Sequence, residues 1–245
     1  GEVKDGAVVA GSRIEFTYTN GFAPSIAGRE EVYIAVDDQT PVDPPTLSVL
    51  PLDAERMRII MPSCSMTGSD LMCLIVSLDR YDNLSRSTYK SLRLREYYSD
   101  HPLQEVPPFT GGTKVSLRFD AEGVYRVRCG DMVSNATRVS NASPGGPYWG
   151  DIHIHTKLSS DGMGENPYPY ARDVSGLNFA AAVDHWESLG ENGLRLAATW
   201  AEQANEPGEF ITIPGYERNP SELGGHHNVY FRNVEPFLEH AARYD

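Results

Sequence analysis

Two histidines stand two residues apart in the run Trp149-Gly150-Asp151-Ile152-His153-Ile154-His155-Thr156. Alternate residues of a strand point the same way. His153 and His155 therefore project together, while Ile152 and Ile154 point into packing. Two convergent neutral imidazoles are half of a transition-metal site. Further residues of ligand type follow downstream: Asp161, Asp184, His185, Glu217, His226 and His227. Five of the seven histidines fall in this stretch, and only His101 and His240 stand outside the pattern.

Each of these residues has a plainer reading when taken alone. A His-x-His pair on a strand also occurs on surfaces and in cores. Asp184-His185 fits a helix N-cap followed by a solvated histidine. Glu217 fits a salt-bridge partner for Arg218 or Arg195, and His226-His227 fits a polar turn. Their joint occurrence at the ends of successive apolar strands is what points to metal binding.

The elements that must position them fall into two unlike parts. From about Val8 to Asn141 the pattern is β. Arg13–Tyr18, Glu31–Val36, Arg56–Met61 and Lys114–Phe119 alternate polar and apolar residues. Leu71–Leu78 is a denser apolar run, as a central strand requires. Gly123–Cys129 and Ala136–Ser140 read as a final hairpin, and proline-rich Tyr97–Phe109 reads as a long loop. Many short strands with Gly, Pro and Asp breaks predict an antiparallel β-sandwich over residues 1–143. Ser143-Pro144-Gly145-Gly146-Pro147 is a linker signal.

After the linker the period changes. Strands are expected at Asp151–Thr156, Phe179–Val183, Phe210–Pro214 and Asn228–Phe231. Helical spacing occupies Pro167–Gly176 and Leu194–Asn205. Strand–helix–strand repetition of this length predicts parallel βα units over residues 144–245. Asp184-His185 then follows the second strand, Glu217 ends the third, and His226-His227 open the fourth. Chemistry in α/β barrels sits at the carboxyl ends of the strands.

Composition bounds the function classes. Of 245 residues, 40% are hydrophobic and 22% charged, which is ordinary for a soluble globular chain. With 21 Lys and Arg against 34 Asp and Glu, the net charge is -13, which argues against a nucleic-acid partner. Bound divalent cations can still invert the local field and admit an anionic substrate. No apolar run approaches the roughly 20 residues of a membrane span. The expected protein is soluble, either cytoplasmic or exported with a signal removed. Cys64, Cys73 and Cys129 are too few and too odd in number for a disulfide scaffold, though a Cys64–Cys73 bridge stays open.

The motifs resemble the PHP (polymerase and histidinol phosphatase) superfamily. Gly150-Asp151-Ile152-His153-Ile154-His155-Thr156 with Ser160-Asp161-Gly162, then Ala182-Val183-Asp184-His185, Ile213-Pro214-Gly215-Tyr216-Glu217 and Gly225-His226-His227-Asn228-Val229 carry the likeness. Their wording, with a β-rich leader, is most similar to the PHP-like group DUF3604. The likeness covers roughly Tyr148 to Asn233. It implies a multi-domain protein: an amino-terminal antiparallel β-sandwich, then the first half of a distorted (β/α)7 barrel. Asp120–Tyr125 also resembles the approach to a late strand of immunoglobulin-like domains.

The resemblance further implies a centre of two or three divalent transition-metal ions, Mn, Fe or Zn. His153 and His155 would bind one ion, Glu217 would bridge two, and Asp161 and His185 would serve a further ion. His226 or His227 would bind beside Glu217, with His226 placed by the Gly-His-x-Asn stretch. Asp151 and Asp184 would accept imidazole N–H groups and fix the ligand tautomers. Glu217, His185 and Asp184 would be the catalytic groups.

The expected activity is metal-assisted hydrolysis of a small-molecule phosphate ester. Lys157, Arg172 and Arg218 are candidate phosphate contacts. The alternatives are an amidohydrolase-type metal hydrolase and a non-catalytic metal-binding or interaction fragment. The family's later ligands, including an Asp-x-His, have no match here. The chain is accordingly expected to be the amino-terminal part of a longer protein, its barrel completed by a missing carboxyl-terminal half or, alternatively, by a second chain.

Overall fold

The computed structural model describes residues 23–32, 45–142, 145–219 and 224–244. In chain order the first part carries β1 (Gly28–Glu31), β2 (Thr46–Val49), β3 (Arg56–Ile60), β4 (Cys64–Met66), β5 (Asp70–Leu78), β6 (Thr88–Tyr89) and β7 (Leu92–Glu96). It continues with β8 (Pro102–Val106), β9 (Phe109–Thr110), β10 (Gly112–Arg118), β11 (Gly123–Tyr125), β12 (Val127–Cys129), β13 (Met132–Val133) and β14 (Thr137–Ser140). The expected strand Arg13–Tyr18 and most of Glu31–Val36 lie outside the described residues, as do Ser143 and Pro144 of the linker.

Two antiparallel sheets carry the packing, ordered β10-β5-β3 and β13-β12-β7-β8. Alternate residues of β5 explain why. Leu71, Cys73 and Ile75 join Ile59, Val115 and Leu117 in a core shared with Leu94, Val106 and Val127 of the other sheet. The opposite face of β5 presents Leu74, Val76 and Leu78, which pack with Val174. From Cys73 onward both faces of β5 are covered, so that stretch is a continuous apolar run, whereas Asp70 and Met72 stay exposed on one face. Two sheets facing one core make this part a β-sandwich in its packing.

Two local expectations are corrected. Tyr97–Phe109 is not a loop, because β8 pairs with β7 and β9 with β6. β8 is the outer strand of its sheet and Pro102 is its first residue, positions where a missing N–H costs little. The final hairpin is also divided. β11 pairs antiparallel with β14, but β12 leaves to pair with β7 and β13. The Ser134 hydroxyl anchors the crossing by accepting the Val127 N–H at 2.9 Å.

The second part comprises β15 (Gly150–Ile154), α1 (Tyr168–Asp173), β16 (Phe179–Ala182), α2 (Trp186–Ala204), β17 (Ile211–Thr212), β18 (Gly215–Arg218), β19 (His227–Tyr230) and α3 (Val234–Tyr244). β15, β16 and β17 form a parallel sheet in that order. α1 and α2 bury Tyr168, Ala171, Trp200, Ala201 and Ala204 against Ala180, Ala182 and Phe210. Helix α2 starts earlier than the apolar spacing predicts and breaks at Gly190, whose φ of 55° only glycine adopts freely.

The expected fourth parallel strand is instead antiparallel. β18 and β19 pair as a hairpin, Glu217 opposite Asn228. The eight connecting residues, 219–226, are too few for the crossover that parallel pairing needs. Pro214 separates β17 from β18, yet Glu217 still bridges His185 in parallel fashion. The described residues form this open parallel sheet with its hairpin and no closed barrel. No helix among them is long and apolar enough to cross a membrane.

Candidate metal centre

The site sits where β15, β16 and β18 end. The pairing of β15 with β16 shifts register between Asp151 and Ile154, which turns the strand at His153. Ile154 stays in packing, but Ile152 is 44% exposed, contrary to the strict alternation. The imidazoles of His153 and His155 face each other with their Nε2 atoms 3.1 Å apart.

Beyond β16 the chain runs into Asp184 and His185. Asp184 is buried, and its carboxylate accepts the Thr156 N–H at 2.6 Å and the Thr156 hydroxyl at 2.9 Å. Ser159 Oγ accepts the His185 N–H at 2.7 Å. These contacts clamp the residues beside His155 to the end of β16. The turn from Thr156 to Gly162 then returns Asp161 to the imidazoles. Gly162 is required there, because a Cβ would lie 2.1 Å from the Thr156 carbonyl oxygen.

Glu217 is the centre of the cluster, its side chain 2% exposed. Its Oε2 lies 3.0 Å from His153 Nε2 and 2.8 Å from His155 Nε2, with His185 Nδ1 at 3.9 Å. Its Oε1 lies 2.5 Å from His226 Nδ1. Asp161 spans His155 Nδ1 at 2.9 Å and His185 Nε2 at 3.2 Å. Three overlapping groups result: His153, His155 and Glu217; His155, Asp161 and His185; His185, Glu217 and His226.

The donor set fits a divalent ion. Ligand atoms about 2.1 Å from a metal lie about 3.0 Å apart at neighbouring octahedral positions and about 3.4 Å apart at tetrahedral ones. The triangle of His153 Nε2, His155 Nε2 and Glu217 Oε2 has edges of 3.1, 3.0 and 2.8 Å.

The electrostatics run the same way. Burial pushes the Glu217 carboxyl up, but the imidazoles of His153 and His226 outweigh it and hold it below the usual glutamate range. Burial pulls His155 down, and the carboxylates of Asp161 and Glu217 raise it above the ordinary histidine value. The hydrogen bond from His155 brings Asp161 down to about 2. These carboxylates stay ionised at neutral pH, as ligands must.

The structure thus gathers His153, His155, Asp161, His185, Glu217 and His226. His227 belongs to none of the three groups among the described residues. It is exposed and lies opposite Arg218 in the hairpin. Asp184 and Asp151 do not accept imidazole N–H groups as expected: Asp184 holds Thr156, and Asp151 accepts the His153 backbone N–H at 3.0 Å. Arg172 is engaged by Asp173 and Glu206 and lines a cleft beside Trp149, at the opposite end of β15 from the histidines. Lys157 pairs with Glu165. Sequence reasoning missed Asn228, whose Nδ2 lies 3.3 Å from His153 Nδ1. The available signal was the strand period, which puts His226, Asn228 and Tyr230 on one face.

No family model matches the chain. A curated relative is Peroxidase 7 of Arabidopsis thaliana, 25% identical over 145 residues, 57% of this chain. The match spans 35% of the length of that relative. Among solved structures, the CARDB domain of a Pyrococcus furiosus protein, determined in complex with di-metal ions, overlaps 37% of this chain and 98% of its own at 12% identity and a TM-score of 0.26. The sulfur carrier protein SoxY of Chlorobium limicola overlaps 37% of this chain and 86% of its own at 11% identity and a TM-score of 0.22.

Proposed function

We propose that this chain carries the metal-binding part of a PHP-type hydrolase that cleaves phosphate esters. On this reading the strand-rich part is an immunoglobulin-like sandwich, and β15, β16 and β17 are the first strands of a distorted (β/α)7 barrel. The observation that supports it is Glu217: a buried carboxylate with imidazoles facing both of its oxygens.

His153, His155 and Glu217 would hold one ion; His185, His226 and Glu217 would hold a second. His155 has one nitrogen to give, and Nε2 belongs to the first group. Its Nδ1 faces Asp161, so Asp161 orients the ring by accepting that N–H and leaves the Nε2 lone pair outward. When bound, two close divalent ions lower the pKa of a water and neutralise the phosphoryl oxygens. Asp184 fixes Thr156, and with it the direction of His155.

The test is metal loading followed by a substrate screen. The chain, stripped and reloaded with Mn, Fe or Zn, is expected to hydrolyse p-nitrophenyl phosphate or its diester in preference to lactones and amides. Glu217→Gln is expected to lose at least about 100-fold in metal affinity and the turnover with it. A preference for lactone or amide substrates, or unchanged turnover in Glu217→Gln, would contradict the proposal.

A further inference from the structure

At the rim of the metal centre one aromatic ring is held in place and left partly open. Tyr230 ends β19 on the face that carries Asn228 and, just before the strand, His226. Its register partner across the hairpin is Gly215, where a Cβ would meet the ring at 3.3 Å. The ring therefore lies across the glycine. Its hydroxyl donates to the Ile152 carbonyl of β15 at 2.8 Å and accepts from the Asn228 amide at 3.0 Å. That amide lies 3.3 Å from the His153 ring, so Tyr230 stands two contacts from a candidate ligand.

Although pinned at both ends, Tyr230 stays 38% exposed. Ile152 is exposed beside it, where β15 loses register with β16. Irregularities of this kind re-aim side chains next to active sites. The imidazoles of His153 and His226 are half exposed on this side, whereas those of His155 and His185 are mostly buried. A substrate reaches the centre past the two exposed rings, and Tyr230 borders that approach. The rim offers apolar surface rather than charge. Lys157 pairs with Glu165, Arg172 lies at the opposite end of β15, and Arg218 alternates with Glu217 and so takes the other face of β18.

Aromatic rings stack on planar aromatic groups, and a ring fixed in advance loses little freedom on binding. We infer that Tyr230 is a specificity-determining residue that stacks on the organic group of the substrate, so that aryl esters bind ahead of saturated ones. The inference rests on the hydrolase reading above and names the class of ester. Tyr230→Phe keeps the ring and loses its anchor. Tyr230→Leu keeps apolar bulk and loses the ring.

Phenylphosphonate and cyclohexylphosphonate test it, because they match in size, differ in planarity and resist hydrolysis. Calorimetry on the Zn2+-loaded chain is expected to show phenylphosphonate binding about 5- to 10-fold more tightly. Tyr230→Phe is expected to keep most of that ratio. Tyr230→Leu is expected to bring it to about one while its Zn2+ content stays at the wild-type level. In NMR of ring-labelled tyrosine, phenylphosphonate is expected to move the Tyr230 signals upfield, these being identified by their absence in Tyr230→Phe. Equal binding of the two phosphonates by the wild type, binding of neither, a ratio that survives in Tyr230→Leu, or Tyr230 signals that stay in place overturns the inference. A loss of Zn2+ and of the ratio together in both variants marks a structural tyrosine and overturns it as well. Hydrolysis of phenyl and cyclohexyl phosphate without preference leaves the proposed function standing and removes the subsite. A ring-dependent ratio in a chain that hydrolyses no phosphate ester overturns the proposed function and keeps the subsite.

Discussion

Glu217 and His155 give the metal-free chain opposite responses to pH. The folded Glu217 carboxyl is held below its ordinary value, so its stabilisation is present above about pH 4.3 and is lost as pH falls through the folded value. His155 is held above its ordinary value, so its stabilisation is complete below about pH 6.5 and is lost as pH rises through the folded value. The metal-free chain is therefore expected to be most stable between these limits, in mildly acidic solution. Thermal melts across pH check this, and Glu217→Gln is expected to flatten the acid limb and to leave most of the alkaline one, because Asp161 is the larger partner of His155. Metal loading should show the reverse dependence and weaken below about pH 6.5, where protons compete for the imidazoles. The ligand-type residues were legible in the sequence because few side chains can bind a metal and these fall at strand ends. Asn228 stands in the Gly-His-x-Asn stretch and on the His226 face of its strand, but its contact with the His153 imidazole was not legible, since it depends on how the hairpin lies against β15.

At the scale of elements, the end of β15 is fixed to the end of β16 by Asp184 and Thr156. Thr156→Val keeps the shape and leaves one carboxylate oxygen of Asp184 without its hydroxyl. A loss of about 1 to 3 kcal/mol is expected, read as a fall in midpoint by chemical denaturation. Metal affinity should fall with it if the clamp aims His155. A second anchor follows β5, where Asp79 accepts the N–H groups of Leu52, Tyr81 and Asn83 and the Asn83 side chain. Burial raises the Asp79 carboxyl, but these hydrogen bonds outweigh it and hold it below the usual range. Asp79→Ala is expected to cost about 3 kcal/mol at neutral pH, with the difference from wild type shrinking as pH falls through the folded value. The role of Asp184 was misread from sequence because its partner depends on the turn from Thr156 to Gly162. The parallel reading of β19 failed for a related reason: apolar alternation marks a strand but not its direction, which the short connection decides.

At the scale of the whole molecule, the strand-rich part and the α/β part share an apolar seam. Val174 packs on Leu74, Val76 and Leu78, and Gly176 passes so close to Ile60 that a Cβ would lie 2.8 Å away. Lys114 pairs with Asp173 at 2.9 Å, and Trp149 Nε1 donates to Ser63 Oγ at 2.7 Å. Val174→Asp buries an unpaired charge in this seam and is expected to split one calorimetric transition into two. The change of sequence period marked both parts, but nothing in the sequence announced the seam. Its residues lie far apart along the chain, and the apolar run of β5 covers two faces at once. The central claim for the molecule is that its strand ends converge on one buried carboxylate to bind metal. Equilibrium dialysis against Mn2+ or Zn2+ with elemental analysis tests it most directly. About two ions per chain are expected for the wild type and fewer than one for Glu217→Gln; a wild type that retains no metal, or a variant that retains as much, would contradict the account.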